Sequence, residues 1–225
     1  MTRGPEDKAA AAQTTPAVYV VGVTGSLGSG KSTLCRLLAG AGLAVIDADR
    51  VSRRVTAPAT AATAELADAF GADLLDGGGR LDRRRLAARA FVDEASRDRL
   101  HALLHPHIRR ALRAEVEALG AAGREVAIIE AAMILESGHR AFYDMLVVVT
   151  ASERRKLERV IGRGMSEADA RRRLALQWPD DRKAAAADWV VPNDGDLPAL
   201  EAAAEKLVAE IRRRAAGRTR GGRNR

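Results

Sequence analysis

The run Val18-Tyr19-Val20-Val21-Gly22-Val23-Thr24-Gly25-Ser26-Leu27-Gly28-Ser29-Gly30-Lys31-Ser32-Thr33 decides the fold of this chain. Its first six residues form a continuously apolar, β-rich stretch that reads as a strand. From Gly25 onward the segment fits G-x-x-x-x-G-K-[ST], and a helical pattern, Ser32–Leu38, follows at once. Glycines let a backbone curl with its N–H groups pointing inward, and a helix N-terminus adds partial positive charge. The segment therefore predicts a cradle for the β-phosphate of a nucleotide, built from Gly25, Gly28, Ser29, Gly30 and Thr33. Lys31 is expected to bridge the β- and γ-phosphates of ATP, and the Ser32 hydroxyl to hold Mg²⁺. A glycine-rich turn that merely opens a helix is the plainer alternative. The complete motif in strand–loop–helix context argues against it.

Four more short apolar runs repeat the strand pattern: Leu43–Ile46, Val126–Ala131, Met145–Thr150 and the shorter Trp189–Val191. Most are continuously apolar, which suits parallel strands covered by helices on both faces. Ala/Leu/Arg segments with helical spacing separate them. The expectation is an α/β chain of the P-loop NTPase fold, in three layers around a central five-stranded parallel sheet. Roughly 80 residues lie between the second and third runs, far more than an ordinary crossover needs. They read as helices around Thr60–Phe70, Asp82–Val92 and Ser96–Leu119. A helical lobe over the sheet edge, from about residue 52 to residue 122, is expected within a catalytic domain spanning 17–216. Residues 1–16 read as a disordered extension and 217–225 as a disordered basic tail.

Hydrophobic residues make up 47% of the 225 but aromatics only 3%, so Ala, Leu and Val must build most of the core. No apolar run approaches the ~20 residues of a membrane-crossing helix. The first sixteen residues lack the basic start and apolar stretch of a signal peptide, and one cysteine, Cys35, cannot form an internal disulfide. A cytoplasmic location with no membrane partner is expected. The net charge of +7 belongs to the end of the chain, where residues 212–225 hold seven arginines and no acid; elsewhere basic and acidic residues balance. Such an end reads as solvated, and nucleic acid as a nonspecific partner of the tail at most.

A phosphate loop does not name the group that receives the phosphoryl. A GTPase switch would need a guanine-selective Asn-Lys-x-Asp segment, which is absent, and Asp76-Gly77-Gly78-Gly79 follows no strand and reads as a loop. A nucleic-acid motor would need a larger chain and a distinct acidic strand end, of which Glu130-Ala131-Ala132 is a weak version. A small-molecule kinase is left in front. The second strand ends in Val45-Ile46-Asp47-Ala48-Asp49-Arg50. Carboxyl ends of parallel strands face the ligand crevice, and two residues two apart share one face of an extended chain. Asp47 and Asp49 can thus accept a hydroxyl proton or hold a metal-bound water, or cap the following helix. After the fourth strand, Arg155, Arg159 and Arg163 recur at i+4 along one helix face. Gly162 and Gly164 break that helix, and Ser166 with Asp169 is a capping signature for the next. This reads as a lid, about 152–178, that excludes water and brings positive charge to the transferring group. A solvated basic helix is the plainer reading.

From about Val18 to Ile211 the chain resembles the dephospho-coenzyme A kinases. Thr24 through Thr33 meets their Thr-Gly-x-x-Gly-Ser-Gly-Lys-Ser-Thr, and Asp47-Ala48-Asp49 their Asp-Ala-Asp. Phe70-Gly71, Asp82-Arg83 and Leu104-His105-Pro106 are similar to later landmarks, as are Arg159 and Arg163 with Gln177, and Asn193-Asp194-Gly195. The resemblance implies transfer from MgATP to the ribose 3′-hydroxyl of dephospho-coenzyme A, yielding coenzyme A and ADP. It implies Asp49 at the acceptor hydroxyl, Arg163 with Arg159 reaching in from the lid, and Asn193 and Gly195 near adenine. It implies an acceptor lobe containing Arg83 and His105, although a packed core histidine fits His105 equally. The sheet order of the nucleoside monophosphate kinases is implied too; the residues themselves do not show it. One departure stands out. Where the family has an acid followed by Pro-Leu-Leu-x-Glu, this chain has Glu130-Ala131-Ala132-Met133-Ile134-Leu135-Glu136. A rigid turn is lost, which leaves acceptor preference open. Another small P-loop kinase, acting on a nucleoside monophosphate or small metabolite, stays open as an alternative, as does a nucleotide-binding scaffold that uses the Arg-rich tail.

Overall fold

The computed structural model describes residues 18–221; the expected extension, residues 1–16, and the last four residues of the tail lie outside them. Five strands, β1 (Tyr19–Thr24), β2 (Ala44–Asp47), β3 (Val126–Glu130), β4 (Met145–Thr150) and β5 (Trp189–Pro192), form one parallel sheet in the order β2-β3-β1-β4-β5. The two faces explain the unbroken apolarity of the strands. Tyr19, Val21 and Val23 of β1 pack against Leu34 and Leu38 of α1 (Lys31–Gly40) and Leu207 and Ile211 of α9 (Leu197–Gly221). Val20, with Ile129 and Leu146 beside it, faces the other way, toward Val51 of α2 (Ala48–Val55) and Leu112 of α5 (Glu94–Ala121). With helices on both faces, each side chain of β1 is buried.

Helices α3 (Ala61–Phe70) and α4 (Arg83–Ala90) join α5 around a separate small core of Leu66, Leu74, Leu86, Ala90 and Leu100. Thr60, Asp82 and Asp93 cap the three helices with their side chains. α5 runs unbroken through Pro106 and extends past both expected ends. After β4 come α6 (Glu153–Ile161), α7 (Glu167–Ala175) and a helix not anticipated from sequence, α8 (Asp180–Ala185). Ser152 caps α6, and Ser166 caps α7 through the N–H of Asp169.

α9 continues to Gly221, beyond residue 216, where the tail was expected to begin. Arg218 lies 2.7 Å from a carboxylate oxygen of Asp144 and sits over the ring of Tyr19. A segment without apolar residues reads as unstructured, and an acid 74 residues away is invisible to that reading.

Parallel strands deliver their carboxyl ends to one edge. In register, Asp47 of β2 pairs with Glu130 of β3, and Glu130 with Val23 of β1. The phosphate loop, the acidic end of β2 and the acidic end of β3 therefore meet at one place.

Candidate active site

The loop between β1 and α1 depends on its glycines. Gly30 has φ of 103°, and a Cβ there would fall 2.1 Å from Nδ2 of Asn193. At Gly28, with φ of 78°, it would fall 2.6 Å from the carbonyl oxygen of Lys156. No other residue fits either position. No side chain caps the start of α1, which leaves that helix end suited to an anion. Gly28, Gly30, Lys31, Ser32 and Thr33 line the resulting pocket, together with Asp47, Asp49, Glu130 and Arg163. Gly25 and Ser29 stand behind it. The Gly25 carbonyl accepts from Lys31 Nζ at 2.7 Å, and the Ser29 carbonyl accepts from Asn193. Burial, reinforced by the charge of Lys183, pulls the Lys31 ammonium down to about 8.

Ser32 Oγ donates to Glu130 Oε1 at 2.6 Å. Glu130, passed over in the sequence as a weak acidic strand end, thus sits beside the hydroxyl expected to hold Mg²⁺. Mg²⁺ keeps several waters and takes one or two oxygens from the protein with others from substrate phosphates. An adjacent hydroxyl and carboxylate facing a phosphate pocket fit that demand.

The acidic pair departs from the sequence geometry. β2 ends at Asp47, and Asp49 already stands in the first turn of α2, so the two share no strand face. Asp47 is the helix cap, accepting the N–H groups of Asp49 at 2.8 Å and Arg50 at 3.1 Å. Both carboxylates still line the pocket.

The three arginines also divide. Arg163 lies in the turn beyond α6 and lines the phosphate pocket. Arg159 instead donates to the carbonyls of Gly28, Ser29 and Asn193. Arg155 donates to the carbonyl of Asp194. Asn193, expected near adenine, is buried, and its amide holds the Ser29 carbonyl at 2.7 Å. Gly195 is exposed and lies outside the pocket lining. Asn193 and Arg159 together hold the carbonyls of Gly28 and Ser29 in the phosphate loop.

A second, mostly apolar pocket adjoins the first. Ala48, Ile108, Leu112, Met133 and Tyr143 line it, and Asp49, Ala131 and Ala132 belong to the walls of both. His105 faces this pocket. Its ring stacks on His101 at 4.8 Å and meets His139 edge-on at 4.6 Å. Burial, with His101 and His139 as neighbours, lowers its pKa to about 4, so the imidazole is neutral at pH 7. Arg83 is not in the wall of this pocket; it is exposed and donates to Thr56 Oγ1 at 2.6 Å. Arg109 takes a place there instead. On a helix as rich in arginine as α5, nothing in the sequence distinguishes the one that faces inward.

The sequence profile of the dephospho-CoA kinase family matches residues 19–199. The dephospho-CoA kinase of Anaeromyxobacter dehalogenans is 44% identical over 196 residues, covering 86% of this chain and 92% of that protein. Protein TT1252 of Thermus thermophilus superposes with a TM-score of 0.75 at 33% identity, covering 86% of this chain and 97% of the other. The dephospho-CoA kinase of Campylobacter jejuni shares the fold, with a TM-score of 0.64 at 23% identity over 85% of this chain and 96% of its own. With its phosphate loop, paired pockets and sheet order in place, the chain belongs to the dephospho-CoA kinase family.

Proposed function

We propose a division of labour among these residues for the ATP-dependent phosphorylation of dephospho-CoA, the last step of coenzyme A biosynthesis, in which the ribose 3′-hydroxyl is the acceptor. One observation carries it. Asp49 lies in the wall shared by the phosphate pocket and the apolar pocket, where a hydroxyl from one must meet a phosphoryl group from the other. Asp49 orients that hydroxyl and accepts its proton. Lys31 and the loop N–H groups hold the ATP phosphates, and Arg163 approaches the transferring group from the lid. Ser32 and Glu130, in contact at the edge of the phosphate pocket, would hold Mg²⁺. The chemistry a bound Mg²⁺ would supply is to offset negative charge on the phosphates as it develops. His105, Arg109 and the apolar wall receive the acceptor. Asn193 acts behind the loop, keeping its carbonyls turned away so that its N–H groups face the nucleotide.

No helix among the described residues is long and apolar enough to cross a membrane, and a cytoplasmic location suits an enzyme whose substrates are soluble metabolites. The test is ADP release coupled to a reporter, with MgATP and, in turn, dephospho-CoA, a nucleoside monophosphate or shikimate. Turnover that depends on dephospho-CoA and survives removal of residues 217–225 supports the reading. Turnover with a nucleoside monophosphate alone would replace the acceptor, and no acceptor dependence at all would favour a nucleotide-binding scaffold.

A further inference from the structure

Lys183 of α8 is wholly buried, an expensive place for an ammonium unless every donor finds a partner. Its Nζ lies 2.8 Å from Glu136 Oε1 and donates to the Ala132 carbonyl at 3.1 Å. The same carbonyl accepts from Thr24 Oγ1, also at 3.1 Å. Thr24 is the buried last residue of β1, and the next carbonyl along the chain, that of Gly25, holds Lys31. Glu136 Oε1 additionally accepts the N–H of Trp178 at 3.0 Å, so the carboxylate joins the turn after β3 to the start of α8. The segment before Lys183 grips the other side of the site. Gln177 accepts the N–H of Leu27 at 2.8 Å, and Asp180 accepts from Ser26 Oγ at 2.6 Å.

Ala132 stands in the wall shared by the two pockets, and no proline stiffens the turn it opens. Something else must fix its carbonyl. We propose that Lys183, seated on Glu136, is a positioning residue for phosphoryl transfer: by holding the Ala132 carbonyl against the end of β1 it sets the backbone wall across which acceptor and γ-phosphate meet. Lys183 lines neither pocket. A wall misplaced by an ångström costs turnover in such a reaction without costing nucleotide affinity. The proposal rests on the assignment of the two pockets to ATP and acceptor.

Breaking a buried pair from one side strands a charge, so the variant of choice is Glu136→Gln/Lys183→Met, neutral and close in volume. We expect it to fold and to bind MgATP within about threefold of the parent. Turnover with dephospho-CoA should fall on the order of tenfold or more. Thr24→Val, which removes the second hydrogen bond to Ala132 without touching a charge, should lower kcat with little change in KM for ATP. Its effect should be non-additive with that of the double variant. A folded double variant with unchanged kcat makes the pair packing alone and overturns the proposal. Should the double variant not fold, an unaffected kcat in Thr24→Val overturns it equally. Failure of the pocket assignment shows separately, as ADP release by the parent enzyme that does not depend on dephospho-CoA.

Discussion

The carboxylate of Asp47 accepts the backbone N–H of Asp49 at 2.8 Å and so starts the helix on which Asp49 stands. One acid of the Asp-Ala-Asp segment builds the position of the other. Asp49→Asn keeps the size of the side chain and loses its charge. Turnover at saturating MgATP should fall on the order of 10²–10⁴, the range of a positioned base, while nucleotide binding changes modestly. Asp47→Asn keeps a capping oxygen and should retain most of its turnover. Asp47→Ala should cost about 1 kcal/mol of stability, the usual loss of a helix cap. The reverse order of the two Asn variants, in paired turnover and nucleotide-binding measurements, would exchange the roles.

The 2.6 Å contact between Ser32 and Glu130 predicts a metal phenotype. Glu130→Gln and Ser32→Ala should each raise the Mg²⁺ concentration needed for half-maximal ADP release, on the order of tenfold, as expected where protein supplies only one or two ligands. Curves that superpose on the parent's would remove Glu130 from the ion's surroundings.

Lys31→Ala should abolish measurable turnover and leave the fold intact, because the side chain's hydrogen bonds stay within its own loop. The free-enzyme pKa of about 8 also fixes the pH response. The ammonium is the useful form, so kcat/KM for ATP should hold through neutral pH and decline as pH rises through about 8. Bound phosphates favour the charged form, so kcat at saturating ATP should hold to higher pH. An alkaline limb that persists unchanged in Lys31→Arg would belong to another group.

Arg163 and Arg159 should separate kinetically. Arg163→Ala removes a cation from the wall of the phosphate pocket, and with the role proposed for it kcat should fall on the order of 10²–10³. Arg159→Ala strips the carbonyls of Gly28, Ser29 and Asn193 of a shared donor, so weaker ATP binding and a lower Tm should come first. Stopped-flow nucleotide binding together with thermal melts distinguishes the two; equal kcat losses with unchanged binding would place both in the transition state.

Truncation after Ala216 removes the Arg218–Asp144 pair. Surface pairs contribute about 0–1 kcal/mol, so a small drop in Tm and an unchanged kcat are expected. Heparin or RNA binding at low salt should weaken, since Arg218, Arg220, Arg223 and Arg225 are lost. A large loss of kcat would mean that the tail reaches the site.

Much of this enzyme is legible before folding because its signals are local. The loop from Gly25 to Thr33 combines glycines, a lysine and a helix start within nine residues, and backbone sterics alone make that combination a phosphate cradle. Continuous apolarity marked the five strands, and helix caps such as Ser166 were readable because donor and acceptor are three residues apart. The rest was decided by contacts between distant residues. Asp47 and Asp49 looked like neighbours on a strand until α2 began between them, a choice made by the packing of Val51 under the sheet. Glu130 meets Ser32 only across 98 residues of chain, and Asn193 meets the Ser29 carbonyl only across 164. Neither α8 nor the burial of its Lys183 against Glu136 had a local signal, because the partner lies 47 residues back in the chain. Sequence by itself determined the phosphate chemistry, since that chemistry lives in one short loop. Only the tertiary structure decided which charged side chains line the pockets and which hold the loop, because a charge takes its place from the partner it meets when water is removed.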